Sequence, residues 1–330
     1  MQTASEIVTA AREPERAPES APARSNLPDR AWAAVLGVLG LAVLVVAALI
    51  VAELLRIGWP ALTHTGIVKF ITTSVWDVTR DVFGALPFIY GTLVTSVVAL
   101  VLALPVSVGL ALFLTEMAPP SLKSIVSFPI SLLAGIPSVV YGLWGLFVLV
   151  PILRKVVEPA LAKAFGFLPL FQGPPIGLGY LAAGVVLAIM ILPTITSIAI
   201  EVLQTVPGAL REAALALGAT RWETIRVSVL PYARAGIVGA TMLGLGRALG
   251  ETMAVTMVIG NSPTIRASLF APGYSLPAVI ANEFAEASGD LHTGALASLG
   301  LLLFAVTVLL NVAARVLVRM SRRGPARVQA

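Results

Sequence analysis

Residues 201–234 read EVLQTVPGALREAALALGATRWETIRVSVLPYAR and join two long apolar segments. The stretch has the grammar of helices and not of a loop. Pro207 stands near a helix start, and Ala, Leu, Arg and Glu follow as strong helix formers. Gly218 falls where a left-handed C-terminal cap is needed. A first helix is therefore expected near Pro207–Leu217. Thr220 and Glu223 then have the T-x-x-E spacing of a capping box, in which each side chain satisfies an exposed backbone N–H, so a second helix starts at once. The expectation is a helix, a tight turn and a helix that leads into apolar sequence. On its residues alone, such a hairpin suits a surface element lying on a bilayer as well as a docking element for a partner.

The composition around this stretch sets the solvent. The 330 residues are 58% hydrophobic and only 12% charged, with a mean hydropathy of +0.94. A soluble domain carries about a quarter of its residues as charges. The reading is an all-α integral membrane protein. There is no cysteine, and the two histidines, His64 and His292, lie far apart, so disulfides, thiolate sites and metal chemistry are not expected. The net charge of +5 could suggest nucleic acid, but the basic residues lie at the ends of apolar segments and not in a basic soluble domain.

A helix needs about 20 mostly apolar residues to cross the hydrocarbon core. Six segments qualify: Ala31–Ala52, Val82–Thr115, Ser124–Leu153, a helix near Leu178–Ile200 within the longer Ala164–Ile200 stretch, Ala235–Ile265 and Leu291–Ala314. FGFLPLFQGPPIG, at the start of the fourth stretch, is rich in Pro and Gly and reads as a loop. With both ends inside, fourteen Lys and Arg fall on the inner side and seven (Arg56, Lys69, Arg80, Arg154, Lys155, Lys163, Arg266) on the outer side. Positive charges accumulate on the cytoplasmic side, so cytoplasmic termini are expected. Residues 1–30 mix Glu, Arg, Pro, Ala and Ser without apolar periodicity and read as a disordered cytoplasmic tail. Residues 31–319 form the membrane domain, with the connection at about 201–234 inside it, and residues 320–330 are a basic tail. A cleaved signal peptide fits less well: the first apolar run is too long and no A-x-A site closes it. No repeat of 20 to 50 residues is visible.

The fifth apolar segment contains GRALGETM, residues 246–253, with Arg247 and Glu251 inside it. A charge at mid-membrane costs several kcal/mol, so such residues usually face a bundle interior or an aqueous path. At positions i and i+4 the two are expected on one helix face, where they can pair. A structural ion pair and an anion-passing role both remain open. The role in passing an anion draws on the planar, permanently charged fork of Arg, which suits phosphate oxygens. Pro129, Gly135 and Pro137 interrupt the third span, either as a packing kink or at a water-lined cavity. Gly246 and Gly250 form a small-xxx-small step that admits a close helix neighbour.

The stretch REAALALGATRWETIRVSVLP resembles the EAA loop of ATP-binding-cassette importer permeases. Glu212, Ala213, Ala214, Gly218, Leu230 and Pro231 stand at the family spacing, and Ser228 stands where the family carries Ile. The resemblance implies a type I importer permease fold, a first loop helix that docks on a cytoplasmic ATPase, contact through Glu212 and a sharp turn at Gly218. None of the four lysines follows a glycine, so no Walker A motif is present. ATP and Mg²⁺ are then expected on a partner and no cofactor in this chain. FGALPFIYGTLVTS (83–96), AGIPSVVYGLWGL (134–146) and GLGRALGETMAVTMVIGN (244–261) are together similar to the PstC-type permeases of phosphate importers, over about Ala31–Arg319. That likeness implies a complex with a second related permease, an ATPase dimer and an extracytoplasmic phosphate-binding protein, in a bacterial plasma membrane, with a phosphate-sensing signalling system as a further partner. Rival readings are an importer for another oxyanion such as sulfate or molybdate, a proton-coupled carrier using Glu251, and a phosphate-signalling scaffold.

Overall fold

The computed structural model describes residues 27–322, with side chains from Ala31 to Val316. The tail expectations for residues 1–26 and 323–330 lie outside the described residues. Among the described residues, six helices are long and apolar enough to cross a membrane, in the order expected. The chain divides into two compact units, Met1–Ala52 and Glu53–Ala330. Helix α1 (Leu27–Thr65) begins in the first unit and continues into the second. Within the first unit its apolar side chains are exposed, as at Val43 (69%) and Leu44 (68%), which suits a surface made to meet lipid tails.

In the second unit, a short helix α2 (Ile67–Thr72) leads to a two-stranded antiparallel hairpin, β1 (Trp76–Asp77) and β2 (Val82–Phe83). Asp77 shapes this turn by accepting from the Thr79 hydroxyl and from the backbone N–H groups of Thr79 and Arg80. Those donors, the Thr79 hydroxyl first, hold its carboxyl below the usual aspartate range. Trp76 Nε1 donates to Glu283, which also meets His292 Nε2 at 3.3 Å, so the hairpin is fastened to the later helices.

The centre of the fold is the contact between α3 (Leu86–Met117) and α6 (Tyr180–Gln204). Gly91, Thr95, Ala99, Ala103, Ser107 and Ala111 recur every fourth residue on α3, and all are buried. A small residue at each turn lets two backbones approach closely, which is how helices associate where lipid removes the hydrophobic drive. Ser107 Oγ donates across this contact to the Leu192 carbonyl at 3.2 Å.

The third span departs from the sequence expectation. Pro120–Gly135 forms a separate helix, α4, and the chain breaks at Ile136 and Pro137. The span itself is α5, Ser138–Phe165. Proline at 137 disfavours the helical region at Ile136, whose ψ is 130°, so the break falls there while Pro129 stays within α4. Arg154, Lys155 and Lys163 therefore lie on the last turns of the span and not beyond it.

The fifth span also shifts. The connection after α6 forms α7 (Gly208–Ala216) and then α8 (Arg221–Gly250), which runs unbroken through a π turn at Ile225–Val229. The apolar sequence beyond Gly250 is not a continuation of the span. It forms a short helix α9 (Met253–Val258) and an irregular stretch, followed by α10 (Leu276–Glu283) and α11 (Asp290–Arg322).

Candidate functional site

Helix α8 lies antiparallel to α6. The α-carbon of Gly236 faces Val202 so closely that a Cβ there would sit 2.4 Å from that side chain, and Gly244 meets Ile195 in the same way at 2.6 Å. This register carries Arg247, in the last turn of α8, to the middle of α6, where its Nη1 donates to Thr194 Oγ1 at 3.3 Å. A cation in the last helical turn is favoured by the carbonyls that have no partner there.

The ion pair left open for Arg247 and Glu251 is not formed, and the two do not share one helix face. The helix ends at Gly250, and Glu251 has φ −71° and ψ 126°, an extended conformation. An i, i+4 contact needs helix through both residues, and here the helix stops one residue short of the acid. Glu251 Oε1 instead accepts from the Ala254 N–H in the first turn of α9, at 3.2 Å.

The two breaks in the chain meet beside this arginine. Helix α9 packs against α5 just after Pro137. A Cβ on Gly142 would lie 2.6 Å from Met257 Sδ and 3.1 Å from the Ala254 α-carbon, so only glycine allows this approach. Tyr141, one residue earlier, is within electrostatic range of Arg247 and donates its hydroxyl to the Leu133 carbonyl on α4 at 2.7 Å. The result is a cationic fork, a threonine hydroxyl, a tyrosine and a carboxylate gathered where two helices are interrupted. Backbone outside a helix is tolerated at membrane depth only when buried in protein or lining an aqueous space. Among the described residues Arg247 donates only to Thr194, so its other N–H groups can serve an oxyanion.

At the other end of α8 the helical hairpin has the form expected from its sequence. Gly218 has φ 86°, the left-handed turn between α7 and α8. Thr220 accepts from the Glu223 N–H and Glu223 accepts from the Thr220 N–H, closing the capping box. The Thr220 backbone and hydroxyl bonds hold the Glu223 carboxyl below the usual glutamate range. Glu212 and Ala213 are exposed, Ala214 is half-buried, Leu230 is half-buried and Pro231 is exposed at the base of the span. Leu215 and Leu217 are 48% and 90% exposed, apolar side chains set out in the open on a polar helix end.

Sequence reading missed three participants. Thr194 had one local signal, a hydroxyl directly after Pro193 in an apolar run. Tyr141 had none beyond its motif. Glu116 accepts two bonds from Arg211, at 3.0 and 2.7 Å, across 95 residues of sequence.

Comparison with known proteins agrees with this architecture. Residues 103–323 match the family described as binding-protein-dependent transport system inner membrane component. The chain is 50% identical over 271 residues to the phosphate transport system permease protein PstC of Mesorhizobium japonicum, covering 81% of this chain and 83% of that one. It is 46% identical to the PstC of Haemophilus influenzae, covering 84% and 89%. A phosphate transport system permease protein PstC 2 of Mycobacterium tuberculosis is 42% identical, covering 82% and 86%. Among solved structures, a chain of a bacterial alginate ABC transporter shares the fold with a TM-score of 0.59 at 17% identity, covering 90% of this chain and 98% of that one. A chain of the MetNI methionine ABC transporter does so with 0.55 at 20%, covering 71% and 94%. The chain is thus a multi-pass membrane protein, and it belongs to the family of binding-protein-dependent transport system inner membrane components.

Proposed function

We propose that this chain is the membrane-spanning subunit of an ATP-driven importer of inorganic phosphate. The observation that carries the reading is the 50% identity to a phosphate permease along four-fifths of the chain. The geometry supplies the physical means: Arg247, without an acidic partner among the described residues, lies beside two helix breaks at the level of the middle of α6. A phosphate crossing a low-dielectric layer needs an opposite charge along its path, and a planar guanidinium offers two parallel N–H groups to its oxygens.

ATP and Mg²⁺ would be held by a partner ATPase dimer that docks on α7 and the residue capping its end, where Glu212, Leu215 and Leu217 are exposed. A second related permease would complete the path, and an extracytoplasmic phosphate-binding protein would deliver the anion. A phosphate-sensing signalling system is a further partner on this reading. The Lys and Arg distribution supports cytoplasmic termini, with the α7–α8 hairpin on the cytoplasmic side.

The test is uptake of labelled phosphate by cells that rely on this importer, with sulfate and molybdate as competitors and with the ATPase and binding protein sought in the purified complex. Competition by sulfate or molybdate equal to that by unlabelled phosphate would overturn the substrate. Failure to retain an ATPase would overturn the machine. Single cysteines at Ser5 and Ser321, in this cysteine-free chain, should resist membrane-impermeant reagents in sealed cells.

A further inference from the structure

The Glu116–Arg211 pair does more than neutralise two charges. Arg211 Nε and Nη2 donate to the two carboxylate oxygens of Glu116 as a fork, at 3.0 and 2.7 Å. The same guanidinium also donates to the Val206 carbonyl at 2.6 Å and to the Leu203 carbonyl at 3.1 Å. Four bonds thus leave one side chain. They reach three pieces of chain: the last turn of α3, the last turn of α6 and the link that follows α6.

The physical reasons for this arrangement are independent of one another. The last carbonyls of α6 lack a partner four residues on, and Leu203, which accepts from the Val206 N–H, still has a lone pair for a cation placed at that end. A two-pronged Arg–carboxylate pair fixes orientation as well as distance, which a single bond or a lysine cannot do. Both side chains are largely withdrawn from water, 26% exposed for Arg211 and 10% for Glu116, so the pair escapes most of the screening that makes surface pairs weak. Glu116 also holds the Arg211 charge more firmly, raising its pKa above the ordinary arginine value. A second fastening closes the hairpin on itself, because Ser228 Oγ donates to the Leu210 carbonyl at 3.1 Å. Ser228 is the residue that departs from the resembling family's Ile, and here its hydroxyl ties α8 to α7.

We propose that Glu116 and Arg211 are the positioning pair that makes helix α7 move as one body with α3 and α6, so that force applied to α7 reaches the spans that border Arg247. Helix α6 carries Thr194, which holds Arg247. The pair touches neither nucleotide nor anion. Without it, α7 keeps its covalent link to α6 at Thr205–Pro207 and its Ser228–Leu210 tie to α8 but loses its fastening to the end of α3, so hydrolysis of ATP on a partner would rock α7 with much less of the motion carried to the spans. This inference rests on the reading of the hairpin as the ATPase-docking element.

The experiment uses the full transport complex in proteoliposomes and measures three quantities separately: ATPase retained on purification, ATP hydrolysed, and phosphate taken up. Glu116→Ala is expected to retain the ATPase and continue hydrolysis while phosphate moved per ATP falls roughly tenfold. Arg211→Lys keeps the charge but loses the fork, so it is expected to fall between the wild type and Glu116→Ala. The decisive variant is Glu116→Cys with Arg211→Cys, which is free of competing thiols within this chain. Joining the two positions with a short, reducible bifunctional thiol reagent should restore most of the wild-type ratio, and reduction should abolish it again. Were Glu116→Ala to lose assembly, this cysteine pair would decide the matter alone.

An unchanged phosphate-to-ATP ratio in Glu116→Ala overturns the proposal. So does an assembled, cross-linked cysteine pair that stays uncoupled. Failure of the wild-type chain to retain or stimulate an ATPase is a different result, and it strikes at the function proposed for the whole chain.

Discussion

Arg247 on α8 donates to the Thr194 hydroxyl on α6 at 3.3 Å, while Glu251, four residues on, turns its carboxylate to the start of the next helix. The two charges are neighbours in sequence with separate structural tasks. Neutralising both is therefore not the removal of an ion pair, and the double change should not rescue function. Arg247→Gln is expected to reduce phosphate uptake to background, Arg247→Lys to retain a small fraction, and Arg247→Gln with Glu251→Gln to stay inactive. Uptake is read with membrane levels and ATPase association alongside. Substantial uptake by the doubly neutral variant defeats the anion-path role.

Glu251→Gln alone should be mild, because an amide oxygen can still accept from the Ala254 N–H. Thr194→Val leaves the arginine without its hydroxyl acceptor. A bond to a charged group contributes about 1.5–3 kcal/mol, so uptake should fall about tenfold or more, and Thr194→Ser should recover most of it. Equal uptake by the valine and serine variants would show that the contact has no part in transport.

At Gly142 helix α5 approaches α9 too closely for any side chain. Gly142→Val places methyl groups against the Ala254 backbone and Met257, an overpacking that costs about 1–3 kcal/mol. The expected phenotype is a protein inserted at near-normal levels whose site is pushed open, with uptake lost. Normal uptake would mean that α9 need not lie against α5.

The turn at Gly218 separates backbone strain from space. Nothing lies within 4 Å of a Cβ at that position, so Gly218→Ala suffers only from its φ of 86°, about 1–2 kcal/mol. Gly218→Pro demands a φ near −65° and should disrupt the turn. Alanine is expected to slow coupling and proline to abolish it, with insertion intact in both. Glu212→Lys should weaken ATPase retention by reversing an exposed charge at the docking face.

Protonation should loosen the second helix of the hairpin. The folded pKa of Glu223 lies below its unfolded value, so its capping bonds contribute fully above the usual glutamate range and are lost as pH falls through the depressed value. Hydrogen exchange of the segment around Thr220–Ile225 should rise on acidification in the wild type relative to Glu223→Gln at the same pH. Parallel behaviour of the two proteins would show that the box contributes nothing.

What could be read in the sequence divides by range. Gly218 and the Thr220–Glu223 box were legible because their chemistry is complete within four residues. The six spans were legible because hydrocarbon demands length and apolarity alone. The third span was misplaced because hydropathy does not distinguish a kink at Pro129 from the end of one helix and the start of another at Pro137. The placement of Arg247 and Glu251 on one helix face failed for a related reason: the apolar run continues past Gly250, but the helix does not. Glu116 and Arg211 stand 95 residues apart, and in one sequence nothing connects one charge to another at that separation.

Arg221 and Arg247 belong to one helix, which makes α8 a rod with its fulcrum inside the bundle. The two residues are separated by ~39 Å at 1.5 Å per residue. About a fulcrum midway along the rod, a tilt of ~10° at the hairpin end would move the Arg247 end through ~3 Å. Small angular strokes at one surface thus become displacements at Arg247 large enough to take the guanidinium out of reach of Thr194, with no residue along the rod changing its own conformation.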